Sequence, residues 1–179
     1  MTKSEIRAYM LQKRFEINSD QHLKLSLEAV KHIQAHPYYQ NAKVIGLYHP
    51  IKNEINLLNL IDDQKTFSLP VVKDNQMHYR VFKKGDRLTK STLEILEPQD
   101  HHIVDDDLEL IIVPALAVNK EGHRIGYGKG FFDQFINTNP HIKTITVVFD
   151  FQVLSELPVE KHDQQIQTVI VLKGEHHDC

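Results

Sequence analysis

The stretch that most limits how this chain can fold runs from Leu108 to Ile136, LELIIVPALAVNKEGHRIGYGKGFFDQFI. Leu108, Leu110, Ile111, Ile112 and Val113 form a short apolar run rich in β-branched residues and stopped by Pro114, which predicts a buried strand. Phe131, Phe132, Phe135 and Ile136 recur at helical spacing and predict a helix that packs back on the sheet. Between them lie Gly122, Gly126, Gly128 and Gly130, four of the chain's seven glycines within nine residues, interleaved with Arg124, Tyr127 and Lys129. Glycine permits positive φ and lets a ligand approach the main chain. Exposed N–H groups in such a loop make an anion nest, and a following helix adds the positive end of its dipole. Arg124 suits bidentate contact with an oxyanion and Lys129 adds a mobile point charge, so the segment reads as a phosphate site. Asp133, just inside the helix, is placed to hold a cation that accompanies phosphate.

Two familiar phosphate loops are excluded. Lys129 is followed by Gly130 rather than Ser or Thr, and Gly126-x-Gly128 lacks both a third glycine at the right spacing and an acidic residue about 20 positions on. The glycines alone fit a flexible surface turn equally well; Arg124, Lys129 and Asp133 tip the balance towards a site.

Pro114-Ala-Leu-Ala followed by Gly122-His-Arg-Ile-Gly-Tyr-Gly-Lys-Gly-Phe-Phe-Asp133 resembles the signature of the 5-formyltetrahydrofolate cyclo-ligases, also called 5,10-methenyltetrahydrofolate synthetases. The resemblance runs from Lys3 to about Asp163. It implies an enzyme that uses ATP and Mg²⁺ to close 5-formyltetrahydrofolate into 5,10-methenyltetrahydrofolate. It departs from the family pattern at Ala115, at Val118-Asn119, at Phe131-Phe132 where two tyrosines are usual, and at Gln167 where a further Asp often stands.

With 21 Lys and Arg against 24 Asp and Glu, the net charge of −3 gives no global basic field to recruit nucleic acid, so anion binding has to be local. The only cysteine, Cys179, leaves no partner for a disulfide within the chain. Met1 to Asp20 lacks the apolar core of a signal peptide, and no apolar run approaches a membrane span. The chain is therefore expected to be a cytoplasmic monomer, one domain over residues 1–179, with no membrane or nucleic-acid partner.

Ser4 to about Asn18 predicts a first helix, with Ser4 as a possible N-cap and Ile6, Tyr9, Met10 and Lys13 at helical intervals. A second helix, capped from Asn18, Ser19 or Asp20, ends at Pro37. Lys43 to Tyr48 reads as a strand, and Asn53 as the cap of a short helix carrying Ile55, Leu58 and Ile61. Phe67 to Val72 and Met77 to Phe82 pair across a polar turn, and Ile142 to Phe149 and Val169 to Leu172 are the last strands. This order predicts an α/β, three-layer domain with a mostly parallel central sheet and helices on both faces, and the resemblance implies the NagB/RpiA/CoA-transferase-like architecture.

Lys3 and Arg7 lie four apart on one helix face; by themselves they read as solvated charges, and the resemblance makes them nucleotide-phosphate contacts. Glu54 alone reads as a carboxylate complementing a helix dipole, and the resemblance makes it, with His49, a contact to the folate's pterin. The resemblance further implies Arg124 and Lys129 as the catalytic cations. The nucleotide would meet Arg124, Gly126, Tyr127, Gly128, Lys129, Gly130, Phe131 and Phe132, the folate Tyr127 to Phe131 besides Glu54 and His49, and Mg²⁺ Asp133 and Asp163. Lys83, Lys84 and Arg87 could meet a glutamate tail but read better as a solvated turn, as do Asp105 to Asp107. Leu93, Ile95 and Leu96 lead into Glu97-Pro98, a further element that resembles the family and to which no chemical step is assigned. His101-His102 and His176-His177 read as exposed, since neighbours on a strand point to opposite faces. The rival readings are a non-catalytic binder of a nucleotide or phosphometabolite, and a sugar-phosphate isomerase or acyl-CoA transferase on a similar fold.

Overall fold

The computed structural model describes residues 1–91 and 95–174; the expectations placed on Leu93, His176, His177 and Cys179 fall outside them. Helix α1 spans Lys3–Phe15 and its cap is Thr2, not Ser4. Thr2 Oγ1 accepts from Glu5 N at 3.1 Å while Glu5 Oε1 accepts from Thr2 N at 2.9 Å, a capping box. Its buried face is Ile6, Met10 and Arg14, whereas Tyr9 is exposed. Helix α2, Ser19–Ala35, starts at Asn18, whose Oδ1 accepts from Gln21 N at 2.8 Å, and buries Leu25, Ala29, Val30 and Ile33. Pro37 opens a further short helix, α3 (Pro37–Asn41), because proline at a first helical position forfeits no hydrogen bond.

The strands in chain order are β1 (Val44–Gly46), β2 (Thr66–Lys73), β3 (Gln76–Val81), β4 (Leu88–Lys90), β5 (Leu96–Pro98), β6 (Leu110–Ile112), β7 (Ala117–Val118), β8 (Arg124–Ile125), β9 (Lys143–Phe149) and β10 (Thr168–Leu172), with helix α4 (Phe131–Thr138) before β9. Six form the central sheet in the order β10-β9-β6-β1-β2-β3, all neighbours parallel except β2 and β3. The antiparallel pair turns at Asp74 and Asn75, both at positive φ, as the polar turn in the sequence requires. Two small hairpins, β4-β5 and β7-β8, stand beside the sheet.

Leu110 and Ile112 of β6 join Ile45, Phe67, Ile145 and Val147 in one core with α2, while Ile111 and Val113 join Tyr79, Phe135 and Ile136 in a second core with α4. Residues of one strand thus alternate between two helical layers, which is why β6 is apolar at every position. Among the described residues no helix is long and apolar enough to cross a membrane.

The short helix expected from Asn53 does not form. Lys52 and Asn53 are in the left-handed region, φ 49° and 61°, and the only helical turns between β1 and β2 are 3₁₀, at Leu58–Asp62. Asn53 directs its side-chain amide to Arg14 O (2.7 Å) and Ile17 O (3.3 Å) at the end of α1, so it caps that helix's carbonyls instead of starting a new one.

Gly46 shows how tightly β1 is packed: a Cβ there would stand 2.5 Å from Tyr79 Cε1 and 2.9 Å from Ile111 Cγ2. Gly46→Ala is expected to cost about 1–3 kcal/mol through forced displacement of the buried ring. In urea denaturation this reads as a lower midpoint at unchanged slope; an unchanged midpoint would show that the Tyr79 ring can move aside freely.

Candidate active site

From β1 the chain continues to β2 on one side of it, and β6 lies on the other, so the strand order reverses between β1 and β6. Such a switch point opens a crevice beyond the carboxyl ends of the strands. A cleft of about 490 Å³ lies there, lined by Tyr48 and His49 after β1, by Pro114 after β6 and by Pro70 and Val72 of β2. Lys3, Arg7, His49, Glu54, Arg124, Gly126, Tyr127, Gly128, Lys129, Gly130, Phe131, Phe132, Asp133 and Asp163 all line this one cleft. Residues from the first helix, the loop after β1, the glycine segment and the loop before β10 are thereby brought together.

The glycine segment begins as the β7-β8 hairpin, whose turn is closed by Asn119: its Oδ1 accepts from Glu121 N (3.1 Å) and His123 N (3.0 Å). Gly130, at φ 75°, is the N-cap of α4. Nothing lies within 4 Å of where its Cβ would be, so backbone conformation rather than crowding calls for glycine. With no side chain at the cap, the first-turn N–H groups of α4 have no side-chain acceptor among the described residues, at the edge of the cleft.

Four cations reach the cleft, two from α1 and two from the glycine segment. Arg124 is 7% exposed, with its guanidinium carbon 5.4 Å from the centre of the Phe132 ring and its buried Nε without a partner among the described residues. Burial pulls its pKa below the ordinary arginine value, yet an arginine stays charged in proteins. Arg7 Nε donates to Gly126 O at 2.8 Å. Lys3 Nζ donates to Asp163 Oδ2 at 3.0 Å and lies 3.2 Å from Glu160 Oε1. Lys129 is exposed and has no hydrogen-bonding or ionic partner among the described residues.

The two predicted cation ligands meet through the loop before β10. Asp133 Oδ1 accepts from Gln164 N at 3.3 Å, next to Asp163, and Asp163 Oδ2 accepts from Glu160 N at 2.9 Å. Burial opposes ionisation of Asp163, but the Glu160 N–H and Lys3 outweigh it and hold the carboxyl below its ordinary range. The pair offers hard oxygen donors of the kind Mg²⁺ takes. Among the described residues no three His, Cys, Asp or Glu side chains gather into a site, so phosphate and water oxygens would have to complete the coordination.

Glu54 sits in the irregular loop after β1 and not in a first helical turn. Its Oε1 accepts from Ile51 N at 2.9 Å and its Oε2 from Tyr127 Oη at 3.3 Å, and the residue is 5% exposed. Burial pushes its carboxyl up to about 7, against the opposing pull of the Ile51 N–H, Arg14, Tyr127 and Lys52. Burial likewise lowers the His49 imidazole and favours its neutral form.

Other candidates prove structural. Gln167 exchanges hydrogen bonds with Thr144 of β9 and does not line the cleft. Asp105 is no solvated turn: it accepts from Tyr79 N and contacts His78 Nδ1, each at 2.7 Å. His101 is half-buried with Nε2 2.9 Å from Asp86, and Arg87 pairs with Asp100. Sequence reasoning missed Glu97, which lines the cleft while accepting from Val72 N at 2.9 Å, and Arg14, which the apolar spacing after Ile6 and Met10 could have flagged.

A family model described as the 5-formyltetrahydrofolate cyclo-ligase family matches residues 1–172. The chain belongs to this family. A 5-formyltetrahydrofolate cyclo-ligase of Mycoplasma genitalium is 29% identical, covering 94% of this chain and 96% of that protein. The mouse enzyme of the same name is 25% identical over 94% of this chain and 92% of its own length. The solution structure of Aquifex aeolicus 5,10-methenyltetrahydrofolate synthetase superposes with a TM-score of 0.83 at 27% identity, covering 99% of this chain and 98% of that one.

The Glu54 environment sets a pH dependence. The folded carboxyl sits near 7 against an ordinary 4.5, so the native state holds the extra proton between these values. The stability tied to Glu54 is complete below about pH 4.5 and is lost as pH rises through about 7. Glu54→Gln is therefore expected to flatten the fall of the urea midpoint across this window. Equal slopes in variant and wild type would rule out the raised carboxyl.

Proposed function

We propose that this cyclo-ligase family member catalyses the ATP-dependent closure of 5-formyltetrahydrofolate to 5,10-methenyltetrahydrofolate with release of ADP and phosphate. It does so as one cytoplasmic, monomeric domain over residues 1–179. The observation that carries the reading is convergence: Arg124, Lys129, Arg7 and Lys3, with the uncapped start of α4, share one cleft with the buried Glu54. One end suits a polyphosphate and the other a flat ring bearing N–H donors.

The chemistry explains why both ends are needed. A formamide oxygen is a poor leaving group, and transfer of the γ-phosphoryl to it makes it a good one. N10 of the folate then attacks the formyl carbon and gives up its proton to the departing phosphate as the C–O bond breaks, leaving the N5=C–N10 amidinium of the methenyl ring and inorganic phosphate. Arg124 and Lys129, with amides of the segment Gly126 to Phe131, hold the phosphoryl oxygens and offset charge during transfer. Lys3 and Arg7 hold the remaining phosphates, and Phe132 keeps the Arg124 guanidinium in place through its ring face. Asp133 and Asp163 would hold Mg²⁺, which would add charge neutralisation at the phosphates. Glu54 accepts from pterin N–H groups, His49 lies beside it, and Tyr127 and Phe131 flank the ring. Rate enhancement then comes from positioning and electrostatics without a covalent nucleophile. The hydroxyls that tyrosines at 131 and 132 would carry are absent, so the amides and Arg124 take the phosphoryl contacts.

Mixing the protein with 5-formyltetrahydrofolate and Mg·ATP should generate the methenyl chromophore only when nucleotide is present. Lys129→Ala and Arg124→Ala are expected to lower kcat by roughly 10²-fold or more with the fold retained. Rates near wild type in either would overturn the assigned roles. Asp133→Asn and Asp163→Asn should raise the Mg²⁺ concentration needed for half-maximal rate; an unchanged requirement would place the ion elsewhere.

A further inference from the structure

On α1 the apolar positions Ile6 and Met10 are followed one turn later by Arg14, which is 1% exposed and heads the largest wholly enclosed side chains among the described residues. A guanidinium in such a place is costly unless its donors are met and an anion lies close. Its Nε donates to Lys52 O at 3.0 Å and its Nη2 to Tyr127 Oη at 2.6 Å. The same phenol donates onward to Glu54 Oε2 at 3.3 Å, and Lys52 Nζ lies 5.0 Å from the Tyr127 ring centre. Arg14 does not itself line the cleft, whereas Tyr127 and Glu54 both do. It stands behind them, beside a minute interior cavity shared with Tyr48, Glu54 and Gln152.

We propose that Arg14 is a positioning residue for the reaction: it fixes the Tyr127 phenol against the Glu54 carboxylate and supplies the charge that keeps this carboxylate an anionic acceptor for the pterin. The inference rests on the cyclo-ligase reading above. An arginine needed only to pack α1 would not have to end on the phenol that, among the described residues, hydrogen-bonds the buried acid. The Asn53 amide, bonded to Arg14 O at 2.7 Å, adds a second tie between α1 and the loop that carries Glu54.

The groups facing Glu54 are Arg14 from α1, Tyr127 and Arg124 from the glycine segment, Lys52 from its own loop, Tyr48 from the end of β1, and His22 of α2, whose Nε2 lies 2.7 Å from the Glu54 carbonyl oxygen. Burial, then Glu54, keeps both phenols protonated, Tyr127 up to about 12, so neither titrates with the carboxyl. Loss of the Arg14 cation removes a group that favours ionised Glu54, and its titration must move to higher pH.

The test is the pH profile of KM for 5-formyltetrahydrofolate, read beside kcat. Wild-type protein that forms no methenyl product would overturn the cyclo-ligase reading itself, not this role. Given activity, Arg14→Met is expected to move the acidic limb of 1/KM up by about one pH unit, a roughly tenfold higher KM on that limb, with kcat changed less. Arg14→Lys keeps the charge without the planar fork and should leave the limb closer to wild type. Tyr127→Phe leaves the cation buried and removes only the hydroxyl link, so it should shift the limb in the same direction by less, and it decides the matter if Arg14→Met does not fold. Active Arg14→Met or Tyr127→Phe protein whose limb stays at the wild-type pH, whatever its stability, overturns the proposal.

Discussion

The hydrogen bond from Arg7 to the Gly126 carbonyl joins the first helix to a loop 119 residues away. With it come Lys3 on Asp163 and Arg14 on both Tyr127 and the Lys52 carbonyl, so one helix of 13 residues clamps three separate loops. Those loops have little regular structure of their own; the sheet gives them anchor points and α1 gives them their mutual placement. Each cation can do this because its helical position repeats on nearly the same side of α1, and the Thr2-Glu5 capping box fixes where that side starts.

The layers were legible because their signals are local. The β6 run is apolar throughout since it is covered on both faces, and the polar turn between β2 and β3 names its own geometry. The glycine segment was legible for the same reason, its φ requirements and its charges being adjacent in sequence. What stayed hidden depends on distant partners: Asn53 is a good helix cap in isolation, and only the nearby end of α1 explains why it caps carbonyls there. Arg14 looked like one more charge among Lys13 and Glu16, because a periodicity search registers apolar side chains and passes over a cation lying in the stripe.

Burying charge near the cleft has a physical return. Arg124, Glu54 and Arg14 sit where water screens them poorly, so their fields act strongly on whatever binds alongside. The costs of that burial are met locally, by Ile51 N–H and Tyr127 at Glu54 and by the Phe132 ring at Arg124. The exposed Lys129 differs in kind: it is free to follow a ligand, while the buried charges hold still.

Among the described residues strand β10 pairs only with β9, at one edge of the sheet, and the segment leading to it carries Asp163 and bonds Ile166 N to Gly122 O at 2.8 Å. The first helix and the segment leading to the last strand therefore line the same cleft from well-separated parts of the sequence. During synthesis β1, β2 and β6 emerge before the residues around Asp163, so the α1 side of the cleft lacks those partners until that segment has emerged. Translation that stops short of Glu160 releases a chain lacking both of Lys3's carboxylate partners, and α1 is then left without one of its three moorings.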